Sequence, residues 1–186
     1  MCDDGYMTET PLQSRPLEGE PIALDLVNTQ WNERGSRMDL LAMDGGVAQW
    51  LSEHGLQPPR DLNATQAALL EARTALRQCL ETDDGDDSAR EALNQVLEYG
   101  RIVPRLGSEG PGERVEVDEA QYPAWVAARN YLELRNKWSR KRIRACAHPD
   151  CILYFLDATR SGTRRWCDMQ TCGNRAKAKR HYNRYG

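Results

Sequence analysis

The sequence predicts an α+β chain: a mainly helical N-terminal domain with one small β-hairpin, followed by a small C-terminal unit built round four cysteines. Three observations carry this. Apolar residues recur at helical spacing through most of the first 138 residues. Within that stretch, Arg101 to Leu106 and Arg114 to Val117 alternate on either side of a loop holding Gly107, Gly110, Pro111 and Gly112. Beyond it, Cys146, Cys151, Cys167 and Cys172 stand in the spacing C-x4-C-x15-C-x4-C.

In chain order, Met1 to Glu18 is polar, contains Pro11 and Pro16 and lacks periodicity, so a mobile leader is expected over residues 1–18. Pro21 to Asn28 is a short apolar segment that periodicity leaves open between strand and helix; helix is the expectation, with Leu24 and Val27 inward. Asn28, Thr29, Trp31 and Arg34 follow. Their amide, hydroxyl and guanidinium could line a pocket for a small polar ligand. The other reading is a helix end with Trp31 on the core. Asp39 to His54 has helical spacing interrupted by Gly45 and Gly46, which predicts a break or helix start near Asp44, with His54 at the surface.

Thr65 to Leu80 is the clearest amphipathic helix, its stripe including Leu69, Ala72, Leu76 and Cys79. Glu81 to Ser88 reads as a solvated acidic turn, Arg90 to Tyr99 as the next helix, then the hairpin. Pro123 opens a long helix toward Trp138, and its end turns basic. The expected boundaries are 19–138 for the first domain and 139–186 for the second.

In the cysteine block, Pro149 and the tight spacing make Cys146 to Cys151 a knuckle rather than a helix. Ile152 to Leu156 suits a buried strand, Arg160 to Thr163 a turn, and Arg164 to Cys167 a return strand. Cys172 opens a helix-prone run rich in alanine and basic residues. Knuckle, hairpin and helix carrying the last ligand make a treble clef. Paired cysteines at this spacing supply the four thiolates of a closed structural zinc site. Two disulfides are the competing reading, but nothing near Met1 resembles a secretory signal, so a reducing cytoplasmic setting is expected. His148 could replace one thiolate, though four cysteines already close the shell.

The residues Arg164-Arg165-Trp166-Cys167-Asp168-Met169 and Cys172-Gly173-Asn174-Arg175-Ala176-Lys177 resemble the CGNR zinc finger. Gly19-Glu20-Pro21-Ile22-Ala23-Leu24-Asp25-Leu26-Val27-Asn28-Thr29 resembles the mark of the ABATE domain that commonly precedes that finger. The resemblance spans Gly19 to Tyr185. It implies a stress-related transcription regulator whose first domain binds an unidentified ligand.

Charge is divided along the chain. Met1 to Leu134 holds 11 arginines and no lysine against 25 acidic residues; Arg135 to Gly186 holds 14 basic residues against three acidic ones. A basic metal-bound tail on an acidic body points to a polyanionic partner, or to docking of one part on the other. On a helix through the C-terminus, Lys177, Arg180, His181 and Arg184 form one stripe without an acidic residue. Arg164 and Arg165 add to the patch, although alternation lets only one of them face outward. Arg175 and Lys179 fall on the side of Cys172, where they would offset the formal −2 charge of zinc with four thiolates.

The leading functional expectation is therefore a DNA-binding regulator holding zinc, with a domain that senses a ligand or partner. A zinc-stabilised protein-interaction module and an RNA-binding protein are the alternatives. No nucleophile with a base, phosphate loop or open metal position is seen, so an enzyme is not expected. No apolar run reaches the roughly 20 residues a membrane span needs. A single finger has a small footprint, which suggests a homodimer.

Overall fold

In the computed structural model, which describes residues 14–178, helix α1 (Ile22–Val27) lies at the centre of the packing. Pro21 precedes its first turn, where a missing N–H costs nothing. Every residue from Ala23 to Thr29 is buried. Leu24 and Val27 face inward as the helix reading requires. The helices over Leu62–Glu81 and Tyr122–Lys137 pack against it, and so does a strand of the cysteine unit.

After α1 the chain forms a hairpin that the sequence reading did not anticipate: β1 (Gln30–Glu33) pairs antiparallel with β2 (Ser36–Asp39). Its two-residue turn, Arg34 and Gly35, has positive φ at both positions, 48° and 85°. Such turns match the twist of the flanking strands, but Arg34 in place of the usual Asn or Asp hides the signal. Asp39 then caps a short 3₁₀ turn (Leu40–Ala42) through Leu41 N–H, and α2 (Gly46–Glu53) begins where the paired glycines suggest. Gly46 is required there, because a Cβ would meet the Leu40 carbonyl oxygen at 1.8 Å.

Helices α3 (Leu62–Glu81) and α4 (Asp87–Leu97) start on Asp61 and Asp86, whose carboxylates accept from Ala64 and Ala89 N–H. The expected hairpin follows as β3 (Gly100–Gly107) and β4 (Gly110–Val117), closing on a tighter turn, Ser108–Glu109, than the glycine-rich stretch implies. Helix α5 (Tyr122–Lys137) carries Pro123 in its first turn. Trp31, Trp50, Leu69, Leu76, Ala124 and Tyr131 belong to one core cluster, and so do Cys146, Leu153, Phe155, Cys167 and Cys172. The cysteine unit thus shares the hydrophobic core of the helical body.

Most of the expected leader lies outside the described residues. Arg15 does not: it is buried, with its guanidinium on Asp25 and Glu53. No helix among the described residues is long and apolar enough to cross a membrane.

Candidate metal centre and its supporting contacts

The strand of the cysteine unit, β6 (Tyr154–Leu156), falls within the expected Ile152–Leu156 run, but its partner does not follow it. It pairs with β5 (Ile143–Ala145), which lies ahead of the first cysteine, so the knuckle Cys146–Cys151 belongs to the loop of that hairpin. Arg164 to Cys167 forms no strand, which corrects the predicted return strand. The physical reason lies in where its backbone groups go. Arg164 N–H donates to Asp157 Oδ2 at 2.9 Å, and the Arg164 carbonyl accepts from Arg144 Nη1 at 3.1 Å. The Arg165 carbonyl accepts from Ala147 N–H at 2.8 Å. A wide turn, Met169–Gly173, then runs into α-helix over 174–178, with Asp168 accepting from Thr171 N–H.

This path brings the four sulfurs of Cys146, Cys151, Cys167 and Cys172 within 4.8 Å of one another. Neighbouring pairs are separated by 3.7 Å (Cys151 to Cys167) and 3.6 Å (Cys167 to Cys172). A disulfide bond is about 2.05 Å, so these are not disulfides. A tetrahedron of sulfurs about 2.3 Å from a central zinc has an edge of about 3.8 Å, and the observed spacing fits it. Three of the sulfurs are buried and the fourth half-buried. The site is positioned to bind a zinc ion.

The electrostatics agree with a divalent cation. Cys146 is held far below the ordinary thiol range because the Cys151 and Cys167 thiols donate to it. Cys151, facing that thiolate, is pushed up to about 12; Cys167 is raised for the same reason and Cys172 chiefly by burial. Four thiols this close cannot all ionise on their own, whereas a zinc ion takes all four as thiolates. Backbone N–H groups share the sulfur charge: Cys167 N–H lies 3.4 Å from Cys146 Sγ, His148 N–H also donates to Cys146, and Leu153 N–H to Cys151. His148 itself accepts from Asp150 N–H through Nδ1, as a loop residue of the knuckle.

The arginines sort differently from their sequence positions. Arg164 is not on the outer face. Its guanidinium donates to the Trp166 and Cys167 carbonyls, lies 4.3 Å from the Phe155 ring centroid and reaches Glu20. Arg142 and Arg144 brace carbonyls in the same way. Arg165 is exposed, its guanidinium 5.3 Å from the Trp166 ring centroid, and Lys177 is exposed. Arg175 is exposed as well, and no hydrogen bond joins it to the sulfurs among the described residues. Lys179, Arg180, His181 and Arg184 lie outside the described residues.

Asn28, Thr29, Trp31 and Arg34 do not converge on a pocket. Trp31 is sealed in the core at 3% exposure, and Arg34 stands exposed on the hairpin turn. Asn28 is a clamp: its Nδ2 donates to the Tyr154 carbonyl and its Oδ1 accepts from Tyr154 N–H, both at 2.8 Å. Thr29 donates to the Leu26 carbonyl and accepts from Arg73, which also grips Asp39. An amide and a hydroxyl that could serve a ligand serve tertiary contacts here.

Glu20 holds the strand two residues further on, accepting from Leu156 N–H at 2.9 Å. The stretch that marks the N-terminal domain is therefore the surface on which β6 is hung. Sequence reasoning missed Glu20 and Asp25. Asp25 did leave a signal, a carboxylate inside an apolar helix, which must find partners.

Those partners are Trp50 Nε1 and His54 Nε2, each 2.9 Å from Asp25 Oδ1, and Arg15 Nη1, 3.1 Å from Oδ2. His54 is thus not a free surface residue; it also stacks at a tilt on Trp50. Burial alone would push the Asp25 pKa up, but the hydrogen bonds from His54 and Arg15 outweigh it and hold the group below the ordinary 3.8. A depressed folded pKa stabilises fully above the unfolded value and is lost as pH falls through the folded one. Asp25→Asn is expected to cost about 3 kcal/mol at pH 7, because Arg15 loses a buried partner. The stability gap between variant and wild type should then close below about pH 3.8. Urea midpoints of both proteins across pH check this, and zinc-linked acid effects cancel in the difference.

Two family models match the chain. Residues 142–185 match the CGNR zinc finger, and residues 20–135 match ABATE, described as "Putative stress-induced transcription regulator". No curated protein matches.

Proposed function

We propose, from the premise that this chain belongs to the ABATE family and ends in a CGNR zinc finger, that it is a DNA-binding transcription regulator whose finger holds the phosphate backbone. One observation carries the reading. The arginines of the finger divide into those that brace carbonyls, Arg142, Arg144 and Arg164, and cations left exposed: Arg160, Arg165, Arg175 and Lys177. Among the described residues, none of those four is ion-paired to a carboxylate. Exposed cations beside a rigid metal site supply phosphate contacts, which give affinity and orientation without choosing a sequence. The stripe of Arg180, His181 and Arg184 belongs to the same reading on the strength of its sequence spacing. The functional units are residues 19–138 and 139–186, the second arranged as a treble clef about its zinc. The docking of β6 on α1 supports a regulator in which the helical body sets the position of the finger.

Titration of duplex DNA against salt tests this. Arg165→Ala and Lys177→Ala are each expected to lower the log–log salt slope by about 0.9 with zinc content unchanged. Arg164→Ala should instead lower stability, with binding lost only as a consequence. Salt-independent binding, or none at low salt by the zinc-loaded protein, would sink the reading in favour of a protein-interaction module. Tighter binding to single-stranded RNA than to duplex DNA would favour the RNA alternative.

A further inference from the structure

Where α3 ends, α5 ends and the chain turns toward the finger, there is an open cleft of about 580 Å³, a size that small-molecule sites occupy. It includes Ser139, Arg140 and Lys141, which fall between the two family spans. Its lining combines apolar side chains, Leu80, Tyr131 and Ile143, with three cations, Arg135, Arg140 and Lys141. Among the described residues Asp84 is the single carboxylate in the lining. It meets the Arg135 fork end-on, Nη1 to Oδ1 at 2.9 Å and Nη2 to Oδ2 at 3.0 Å, with Arg140 Nε 3.6 Å away. Asp84 comes from the turn between α3 and α4, and its side chain is 58% exposed. A second observation is independent of it: among the described residues Arg135 Nε is buried and has no acceptor, so one donor of this guanidinium is left unsatisfied.

We propose that this cleft binds a small organic carboxylate with an apolar body. The ligand's carboxylate replaces that of Asp84 on the Arg135 fork, with Lys141 beside it, and its body lies on Leu80, Tyr131 and Ile143. The fork already shows the bidentate geometry such an anion adopts. Because the cleft joins the end of the helical body to the start of the finger, the site is placed to couple an effector to the finger's position. The binding claim itself stands without the DNA reading.

The test is calorimetry on the full zinc-loaded chain with acetate, benzoate, naphthoate, neutral benzamide and inorganic phosphate. Benzoate or naphthoate should bind more tightly than acetate, and benzamide should not bind. Asp84→Asn should tighten benzoate about fivefold, because it removes the competing occupant. Arg135→Gln should weaken it about tenfold or more, through loss of a charge-assisted pair. Lys141→Ala, at an exposed position, should weaken it about threefold and keeps the test decisive if Arg135→Gln does not fold. Four results would overturn the proposal: equal binding of benzoate and benzamide, phosphate binding tighter than either aromatic acid, no tightening in Asp84→Asn, or no binding of any carboxylate to Asp84→Asn at millimolar concentration.

Discussion

Removing the metal with a chelator is expected to destabilise this protein more than any single substitution outside the site. Structural zinc contributes apparent binding energies of about 10–16 kcal/mol in small fingers, comparable to the whole stability of a domain. Sequence spacing alone predicts that loss of a ligand unfolds the C-terminal region and leaves much of the N-terminal helix content. The shared core extends that expectation. Cys146, Leu153, Phe155, Cys167 and Cys172 lie in one cluster with Leu24, Val27 and Leu76, and Phe155 is fully buried. When the knuckle opens, β6 leaves α1, and the helices that remain should melt at least 10 °C lower, the shift that a loss of about 5 kcal/mol produces in a chain of this size. Metal analysis should find one zinc per chain. Cys172→Ser should reproduce the chelator's effect, and thermal melts followed by helix signal check both. Helices that melt at the same temperature with and without metal would show that the two parts are energetically separate.

Asn28→Ala should have the next largest effect. Its side chain is 1% exposed and satisfies both the N–H and the carbonyl of Tyr154. Truncation leaves two buried backbone groups without partners, each costing about 1–3 kcal/mol, so a loss of about 2–6 kcal/mol is expected. Asn28→Asp is the sharper variant. It keeps an acceptor for Tyr154 N–H but turns an oxygen toward the Tyr154 carbonyl, and should recover little of the loss at neutral pH. Denaturant midpoints read the stability, and zinc content should stay at wild-type level because Asn28 touches no sulfur. A ligand-binding role alone would predict unchanged stability in both variants.

Several features were legible without coordinates. The four cysteines announced their chemistry because metal ligation needs particular residue types at short fixed spacings. The apolar stripe of α3, the start of α2 at the paired glycines and the β3–β4 hairpin were legible because periodicity and turn residues act locally. The β1–β2 hairpin was not, since an arginine holds the turn position where the usual signal would sit. Nor was the pairing of β6. Its run of apolar residues announces a buried strand, but its partner was decided by which neighbouring backbone still had unmet hydrogen bonds, and Arg144 and Asp157 had already satisfied those of the following segment.

The residues themselves therefore determined the metal, the family and the division of charge. Tertiary structure alone decided the job of each polar side chain. Asn28 reads equally well as a pocket amide or a clamp, and Arg164 as a phosphate contact or a brace, because an amide or guanidinium offers the same donors in either setting. Which partner comes within about 3 Å depends on elements far apart in sequence. Tyr154 lies 126 residues from Asn28, and no local spacing records that meeting.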